Sequence, residues 1–407
     1  MWVPLLVLLG AAWAFSMGVT LWVICSEFFT ADIPAAISHP GRLWVLHCLF
    51  QLSVTWGTIF EKLGICSMPQ FLSFLNDLPS VKQDPDVVIK DLRFGTIPVK
   101  LYQPKMSSCT PRRGVLFYHG GGTITGSLKS YQDICCRLSK ESDSVVVAVG
   151  YRKAPKHKFP TPMRDCLVAT VHFLRSLHLY GVDPARVVVC GDSVGGAMAA
   201  AACQNLLDRS DLPKIRAQIL IYAVIQVVNF QLPSYQQNAN VPLLSKNFAF
   251  HCFSHYLDIH PSWKNVIMKG AQLPVEVWEK YRKWLGSENI PERFKKRGYQ
   301  EVRPGPHNED AYLETHHALD VVNMPLIAED DVVSRLPEAC IVSCEYDLLR
   351  DDSLLYKKRL EDLGVPVTWH HMEDGFHGVF SLLSLTYFQM PCSMRILNAM
   401  VHFLKGL

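Results

Sequence analysis

The 407-residue chain has no Asn-x-Ser/Thr sequence, no internal repeat and no block of like charges. Without a glycosylation sequence, the chain offers no evidence of that kind for a lumenal location. Its 40 Lys and Arg residues nearly balance 37 Asp and Glu residues, and no nucleic-acid-binding motif is present, so nucleic acid is not predicted as a partner. The 13 cysteines have no metal-ligand spacing. We predict neither a metal nor an organic cofactor.

The odd number of cysteines leaves at least one of them unpaired or joined to another chain. Cys190, Cys340 and Cys344 lie in apolar, strand-like runs, where buried free thiols are expected. The connectivity of any disulfides cannot be deduced from the sequence. No sequence feature indicates an obligate protein partner.

Charge is also missing from the first part of the chain, where Trp2 to Ser26 forms an uncharged run. A helix of that length would extend about 37 Å, enough to cross a hydrocarbon core of about 30 Å. The run lacks the basic start of a cleaved signal peptide, although Ala12-Trp13-Ala14 resembles a cleavage site. We therefore predict a membrane anchor at residues 1–26. Arg42 and Lys62 follow the run and nothing basic precedes it, so the positive-inside rule does not support a lumenal catalytic domain.

A second uncharged run covers Leu43 to Phe60. Polar residues recur in it at helical spacing, namely His47, Gln51, Thr55 and Thr58. We interpret the run as an amphipathic helix within a helical segment at residues 27–84. Two roles remain open for it: an ordinary packed helix, or a helix that lies on the bilayer near a substrate entrance.

After residue 85 short β-branched runs come first and then alternate with helical stretches, which predicts a mainly parallel sheet flanked by helices. The predicted strands are Val87 to Phe94, Ile97 to Tyr102, Gly114 to Tyr118, Val145 to Tyr151, Val187 to Cys190, Ile219 to Ala223, Ala339 to Cys344 and Val365 to His370. Predicted helices cover Gly195 to Leu207 and Asp351 to Leu363. The alternation stops at about residues 224–336, where we predict an inserted cap subdomain. The catalytic domain would then be residues 85–407.

Gly191-Asp192-Ser193-Val194-Gly195 follows one predicted strand and begins a helix of small residues. This strand-turn-helix context is required for a nucleophile elbow, in which glycines two positions before and after the serine permit a tight turn. We predict Ser193 as the nucleophile.

A second glycine-rich sequence, His119-Gly120-Gly121-Gly122, directly follows the predicted strand that ends at Tyr118. Glycine allows backbone to approach a substrate closely. We predict an oxyanion hole in this loop, with N–H donors from Gly120 and Gly121 and a further one from Val194.

A serine hydroxyl needs a general base that is itself oriented by a carboxylate. His377 follows the last predicted strand in a glycine-flanked loop and is our predicted base, with His370 and His371 as competitors. Asp347 follows the strand Ala339 to Cys344 and is our predicted acid. The alternatives for the acid are Glu345, Asp351 and Asp352, of which the last two would more naturally act on a helix dipole.

Taken together, these motifs resemble the hormone-sensitive-lipase group of α/β-hydrolase esterases, most closely its arylacetamide deacetylase-like branch. The resembling segments are His119 to Gly122, Gly191 to Gly196, Tyr346 to Asp352, Asp374 to Gly378, and Tyr151 to Pro155 with Phe159-Pro160 and Asp165. The resemblance implies an α/β-hydrolase fold with Ser193, Asp347 and His377 as the catalytic triad and His119 to Gly122 as the oxyanion loop.

The same resemblance implies a single-pass, type II protein of the endoplasmic reticulum with a lumenal catalytic domain, acting on ester or amide bonds of lipids and xenobiotics. Two positions depart from the group: Thr123 stands where an aromatic is usual, and Val194 where alanine is usual. Both border the acyl pocket, so substrate preference stays open. The competing hypotheses are a catalytically inactive, receptor-like binding protein and a structural membrane partner.

Overall fold

The computed structural model describes residues 2–79, 84–302 and 304–407. Residue 1 of the predicted anchor, residues 80–83 of the predicted segment 27–84 and residue 303 of the predicted insert lie outside the described residues.

An eight-stranded sheet forms the centre of the molecule. Its strands are β1 Val87–Phe94, β2 Ile97–Pro104, β3 Arg112–Tyr118, β4 Ser144–Val149, β5 Val182–Asp192, β6 Ala217–Ile221, β7 Glu338–Tyr346 and β8 Val367–Phe376. They lie in the order β1-β2-β4-β3-β5-β6-β7-β8. β2 is antiparallel to both β1 and β4, and β3 to β8 are parallel. The predicted mainly parallel sheet is confirmed.

Helices cover both faces of the sheet and precede it in the chain. They are α1 Trp2–Thr30, α2 Pro40–Lys62, α3 Met68–Asn76, α4 Gln132–Ser142, α5 Thr161–Arg175, α6 Val194–Leu206, α7 Pro233–Gln237, α8 Lys246–Leu257, α9 Lys264–Met268, α10 Val275–Leu285, α11 Glu309–Thr315, α12 Asp330–Val333, α13 Arg350–Asp362 and α14 Pro391–Gly406. Short 3₁₀ helices occupy Leu177–Tyr180, Pro261–Trp263, Ser287–Asn289, Glu292–Phe294, His316–Leu319, Pro325–Ile327 and Val379–Ser384.

The two faces of the sheet carry two separate apolar cores. Because successive strand residues point to opposite faces, Val145, Val147 and Val149 pack in the core beneath α5, α6 and α13, whereas Val146 and Ala148 pack in the core beneath α4 and α14. Strands buried on both faces read as continuous apolar runs, which is why β3 to β6 were recognisable in the sequence. The thiols of Cys190, Cys340 and Cys344 are buried and free, as predicted.

The predicted end of the last strand at His370 is wrong. β8 continues to Phe376, because a register shift between Cys344 and Tyr346 of β7 lets the pairing resume at Tyr346 and Phe376. This extension brings the end of β8 to within one residue of His377. Between β6 and β7 the chain forms the short helices α7 to α12, in the region where the sequence predicts an insert.

The two N-terminal helices α1 and α2 are each long and apolar enough to cross a membrane by length and composition. α2 also packs against the rest of the molecule: its His47 is buried, with Nε2 lying 2.9 Å from Glu27 Oε2 and Nδ1 accepting a 3.3 Å hydrogen bond from the Leu243 N–H. The residues of the predicted polar face therefore do not share one environment, since His47 is buried while Thr58 is exposed.

Candidate active site

The turn between β5 and α6 presents Ser193 at the carboxyl edge of the sheet. Ser193 has φ 56° and ψ −123°, a conformation that residues with side chains rarely adopt. A β-carbon on Gly191 would lie 2.3 Å from the carbonyl group of Gly195, and one on Gly195 would lie 2.0 Å from the Tyr118 oxygen. Both distances are far below van der Waals contact, so this turn requires glycine at both positions.

The three predicted catalytic side chains lie together at this edge. Ser193 Oγ is 2.9 Å from His377 Nε2, and His377 Nδ1 is 3.0 Å from each carboxylate oxygen of Asp347. With the proton on Nδ1, the imidazole donates to Asp347 and accepts the Ser193 hydroxyl proton at Nε2. Asp347 is fully buried, and Ser193 and His377 are less than a tenth exposed. The geometry suits proton transfer from the serine, and the catalytic roles stay predictions.

Neighbouring parallel strands bring the acid and the base together. Asp347 directly follows β7, and His377 directly follows β8. Because the carboxyl ends of parallel strands share one edge of a sheet, these two loops meet beside the elbow that follows β5. One Asp347 oxygen also accepts a 2.7 Å hydrogen bond from the Leu349 N–H, which fixes the carboxylate orientation.

The competing histidines lie away from this site. His370 and His371 are in the middle of β8. His371 Nδ1 lies 2.9 Å from Ser343 Oγ, and its Nε2 lies 3.1 Å from Glu345 Oε2. The ring of His371 is thus held by its neighbouring strand and does not contact Ser193.

Asp351 and Asp352, the alternative acids, also have other partners. Both are fully buried at the start of α13. The Ser234 N–H donates to Asp351 at 2.6 Å, and the Ile225 N–H donates to Asp352 at 3.2 Å. Burial raises the pKa of Asp352 to about 7. These contacts attach the segment after β6 to α13. The sequence predicted only an interaction of Asp351 and Asp352 with the helix dipole and did not predict these contacts.

The glycine-rich loop after β3 lies beside Ser193, but one predicted donor is already engaged. The Gly120 N–H donates a 2.8 Å hydrogen bond to Asp192 Oδ1, so the prediction that Gly120 donates to the oxyanion is wrong. Gly121 and Gly122 have φ values of 109° and 60°. In the described part of the chain, the N–H groups of Gly121, Gly122 and Val194 have no protein acceptor. These three N–H groups stay predicted donors to an oxyanion.

His119 supports the loop from its buried side. Its ring stacks on Tyr151 with centroids 4.3 Å apart, and Nδ1 lies 2.8 Å from the Gly120 carbonyl oxygen. The Tyr151 hydroxyl donates to the His119 carbonyl at 2.7 Å. Burial lowers the pKa of His119 to about 3, so its ring is neutral. His119 belongs to the predicted oxyanion loop, and its contribution there is to hold the loop backbone in place with its buried side chain.

Asp192 is the functional residue that sequence reasoning missed. Besides the Gly120 N–H, its carboxylate accepts hydrogen bonds from the hydroxyls of Tyr131 at 2.8 Å and Tyr222 at 3.5 Å. Burial raises the pKa of Asp192 to about 6, against the opposing effect of the hydrogen bonds from Tyr131 and the Gly120 N–H. Asp192 thus joins the nucleophile turn to the oxyanion loop. Its position inside the elbow motif was the available signal, but the motif does not say where the carboxylate points.

A cavity of about 560 Å³ extends from Ser193 and His377, within the size range of small-molecule sites. Apolar side chains from α2 and α8 line part of it, namely Leu46, Phe50, Phe248 and Phe253. Thr123 and Val194, the two departures from the group pattern, also line it. Among the described residues, no group of three or more His, Cys, Asp or Glu side chains could hold a metal ion.

Comparison with known proteins identifies the class. Residues 115–274 and 296–381 match a family described as having the alpha/beta hydrolase fold. This chain belongs to that family, and the predicted fold class is confirmed.

Individual relatives define its branch. The chain is 68% identical over 407 residues to arylacetamide deacetylase-like 3 of Homo sapiens, covering 100% of both chains. It is 34% identical over 370 residues to arylacetamide deacetylase of Bos taurus, covering 89% of this chain and 92% of the relative. Among solved structures, EstE1, a carboxylesterase cloned from a metagenomic library, aligns with a TM-score of 0.61 at 26% identity, covering 83% of this chain and 97% of that one. The resemblance to the arylacetamide deacetylase-like branch that the motifs predicted is confirmed.

Proposed function

We propose that this chain is a membrane-anchored serine hydrolase that cleaves carboxylic esters or arylamides through an acyl-enzyme on Ser193. The single observation that carries the proposal is the continuous hydrogen-bonded series from Ser193 Oγ through His377 to Asp347, with separations of 2.9 Å and 3.0 Å. The esterase relatives support the same reaction class.

In the proposed cycle, Ser193 Oγ attacks the substrate carbonyl carbon while His377 Nε2 takes the serine proton. The N–H groups of Gly121, Gly122 and Val194 would stabilise the negative carbonyl oxygen of the tetrahedral intermediate. His377 then gives its proton to the leaving alcohol or amine, and the acyl-enzyme remains. Water attacks the acyl carbon in the second half, giving its proton to His377, and the acid product leaves as Ser193 regains a proton.

Buried Asp347 would orient the imidazole and stabilise its charged form during both halves of the cycle. In each half of the cycle His377 Nε2 accepts one proton and then gives it up, so Ser193 and His377 end the cycle in their starting protonation states. The apolar lining contributed by Leu46, Phe50, Phe248 and Phe253 favours a substrate with an apolar acyl or aryl group.

We further propose that α1 anchors the protein in a membrane, with residues 27–84 as a helical segment that joins the anchor to the catalytic domain at 85–407. Residues 224–336 would form a cap over the cavity, since Phe248 and Phe253 of α8 line it. The endoplasmic reticulum and a lumenal, type II orientation follow from the family resemblance alone. α1 supports anchoring through its length and its exposed apolar side chains.

Turnover of a short chromogenic ester by the detergent-extracted full-length protein tests the catalytic proposal. Ser193→Ala and His377→Ala should each lower the rate by roughly 10⁴-fold or more while the protein stays folded. His370→Ala is the matched control and should keep wild-type turnover, because His370 lies outside the site. Undiminished turnover by folded Ser193→Ala would contradict the proposal, and absence of turnover in folded wild type would favour the inactive binding protein.

A further inference from the structure

The loop that follows β3 has a strained backbone beside the nucleophile. Three successive residues have positive φ angles, with values of 109° at Gly121, 60° at Gly122 and 63° at Thr123. Glycine adopts such angles readily, but a β-branched residue such as threonine rarely does. Strained backbone persists only where the surrounding structure holds it. The contacts around this loop therefore decide where its N–H groups point.

Hydrogen bonds from the catalytic domain hold the loop on either side of Gly122. The Gly121 carbonyl accepts from the N–H groups of Ile124 at 3.1 Å and Thr125 at 2.9 Å, which closes a tight turn. The Thr123 carbonyl accepts a 3.0 Å hydrogen bond from the Ala154 N–H. These bonds fix Gly121 and Thr123, the two neighbours of Gly122.

Gly122 itself packs against α8, a helix of the region between β6 and β7. A β-carbon on Gly122 would lie 2.6 Å from Cys252 Sγ and 2.9 Å from Cys252 Cβ, so the Cys252 side chain lies directly against the Gly122 backbone. Cys252 is buried and forms a small apolar cluster with Ile124 and Ala154, against which Phe248 of α8 also packs. α8 therefore covers this side of the loop.

Other contacts hold α8 in place on both sides of Cys252. One turn before it, the Phe248 ring packs edge-on against Phe50 of α2, with centroids 5.0 Å apart. One turn after it, the Tyr256 carbonyl accepts a 2.8 Å hydrogen bond from the Phe159 N–H. Residues four apart share one face of a helix, so Phe248, Cys252 and Tyr256 face the same side. Cys252 is thus held at the centre of the contact face of α8.

The Cys252 thiol can act here through its shape but not through charge. Burial raises the pKa of Cys252 to about 12, so the thiol stays protonated and is a poor nucleophile. A protonated, buried cysteine behaves as a small apolar side chain. Alanine at this position would leave a gap beside Gly122, and leucine would overlap the Gly122 backbone.

We propose that Cys252 is a positioning residue for the oxyanion hole. From α8, its side chain would hold Gly122 so that the N–H groups of Gly121 and Gly122 can donate to the same oxygen as the N–H of Val194. The hole is then complete only while α8 packs against the loop, which makes this helix part of the chemical step. This inference rests on the proposed hydrolase activity.

Steady-state hydrolysis of p-nitrophenyl acetate by the detergent-extracted full-length protein tests this role. Cys252→Ala should lower kcat by about 10- to 100-fold, because the donors lose their alignment, and should change KM by less than about twofold. Cys252→Ser keeps an atom at the position of Sγ and should retain most of the wild-type kcat. A wild-type kcat in folded Cys252→Ala would overturn the proposal. A rise in KM alone would also overturn it, since Cys252 would then act only as cavity wall.

The matched control is Cys166→Ala, which removes another buried thiol. Cys166 of α5 packs in the core against α6, with Sγ 3.4 Å from Met198 Sδ. This variant should lower the thermal midpoint of unfolding at least as much as Cys252→Ala and should keep the wild-type kcat. Equal losses of kcat in the two variants would show a general effect of core packing and would contradict a specific role for Cys252.

A second measurement uses an aryl trifluoromethyl ketone as inhibitor. An activated serine adds to the ketone carbon, and the ketone oxygen becomes an oxyanion like that of the tetrahedral intermediate. For Cys252→Ala, the inhibition constant should rise by the same factor by which kcat/KM falls. An unchanged inhibition constant in an active enzyme would overturn the role of Cys252 and leave the hydrolase activity intact. Folded wild type that neither hydrolyses the ester nor binds the ketone would refute the proposed activity, and the role of Cys252 with it.

Discussion

The carboxylate of Asp192 connects two parts of the site that are 72 residues apart in the chain. Ser193 next to it belongs to the nucleophile turn, and Gly120 belongs to the oxyanion loop. Because Gly120 donates to Asp192, the loop has a fixed position and the following N–H groups of Gly121 and Gly122 stay available. At the scale of single residues, the site therefore depends on a buried carboxylate that need not contact substrate.

Replacing Asp192 should separate loop positioning from nucleophile activation. Asp192→Ala leaves the Gly120 N–H without its acceptor, and we expect kcat/KM to fall by about 10² to 10³, comparable to loss of an oxyanion donor. Asp192→Asn keeps a carbonyl oxygen for that N–H and should lose much less. The measurement is kcat/KM for one ester with all variants. Equal losses in the alanine and asparagine variants would contradict a role in positioning the loop.

At the scale of elements, the segment after α7 holds the loop that carries the acid. Asn238 is fully buried, and its side-chain amide donates to the Asp347 carbonyl at 2.7 Å and to the Glu345 carbonyl at 3.1 Å. The region between β6 and β7 thus contributes to catalytic geometry as well as to the cavity wall.

Asn238→Ala should therefore affect both stability and activity. The variant removes one hydrogen bond from each of two carbonyl groups, which keep their bonds from the Arg350 N–H and from Arg297. Each lost hydrogen bond costs about 0.5–1.5 kcal/mol. We expect a lower thermal midpoint and a lower kcat with little change in KM. Asn289→Ala removes a comparable amide contact to the Lys283 carbonyl, at 3.1 Å on the exposed side of the insert, and should change neither. A wild-type kcat in folded Asn238→Ala would show that the acid loop does not need this contact.

Much of the architecture could be predicted because local patterns determine it. Apolar β-branched runs identified the buried strands. The elbow and glycine-loop motifs predicted that the turn at Ser193 and the loop after β3 lie beside each other. The errors concern contacts between distant segments. No local pattern shows that Asp192 accepts the Gly120 N–H, that Asp351 and Asp352 anchor the segment after β6, or that a shifted register extends β8. Those features depend on how separate elements pack.

At the scale of the whole molecule, the proposed membrane anchor allows two orientations of the catalytic domain. The net charge of +3 is small, and the basic residues after α1 do not favour a lumenal domain. The proposed lumenal orientation must therefore be tested directly. The sequence contains no glycosylation site of its own. Any glycosylation of a variant with one added site must therefore occur at that site.

Met106 is 81% exposed in the connection between β2 and β3 and is followed by two serines. Met106→Asn therefore creates an Asn-Ser-Ser glycosylation sequence. If the domain is lumenal, this variant synthesised with microsomes should gain mass that a glycosidase removes. Met106→Asn combined with Ser108→Ala should gain none. An unmodified Met106→Asn protein, in microsomes that glycosylate a lumenal control protein, would place the domain on the other side.

The most direct test of the central claim is labelling of membrane-extracted protein with a fluorophosphonate, which reacts only with an activated serine. We predict that wild type is labelled and that Ser193→Ala is not. Ser381→Ala is the matched control, because Ser381 also lines the cavity while its hydroxyl donates to the Gly378 carbonyl at 2.7 Å, and it should be labelled like wild type. Folded wild type that stays unlabelled, or Ser193→Ala labelled as strongly as wild type, would contradict the assignment of Ser193 as the nucleophile.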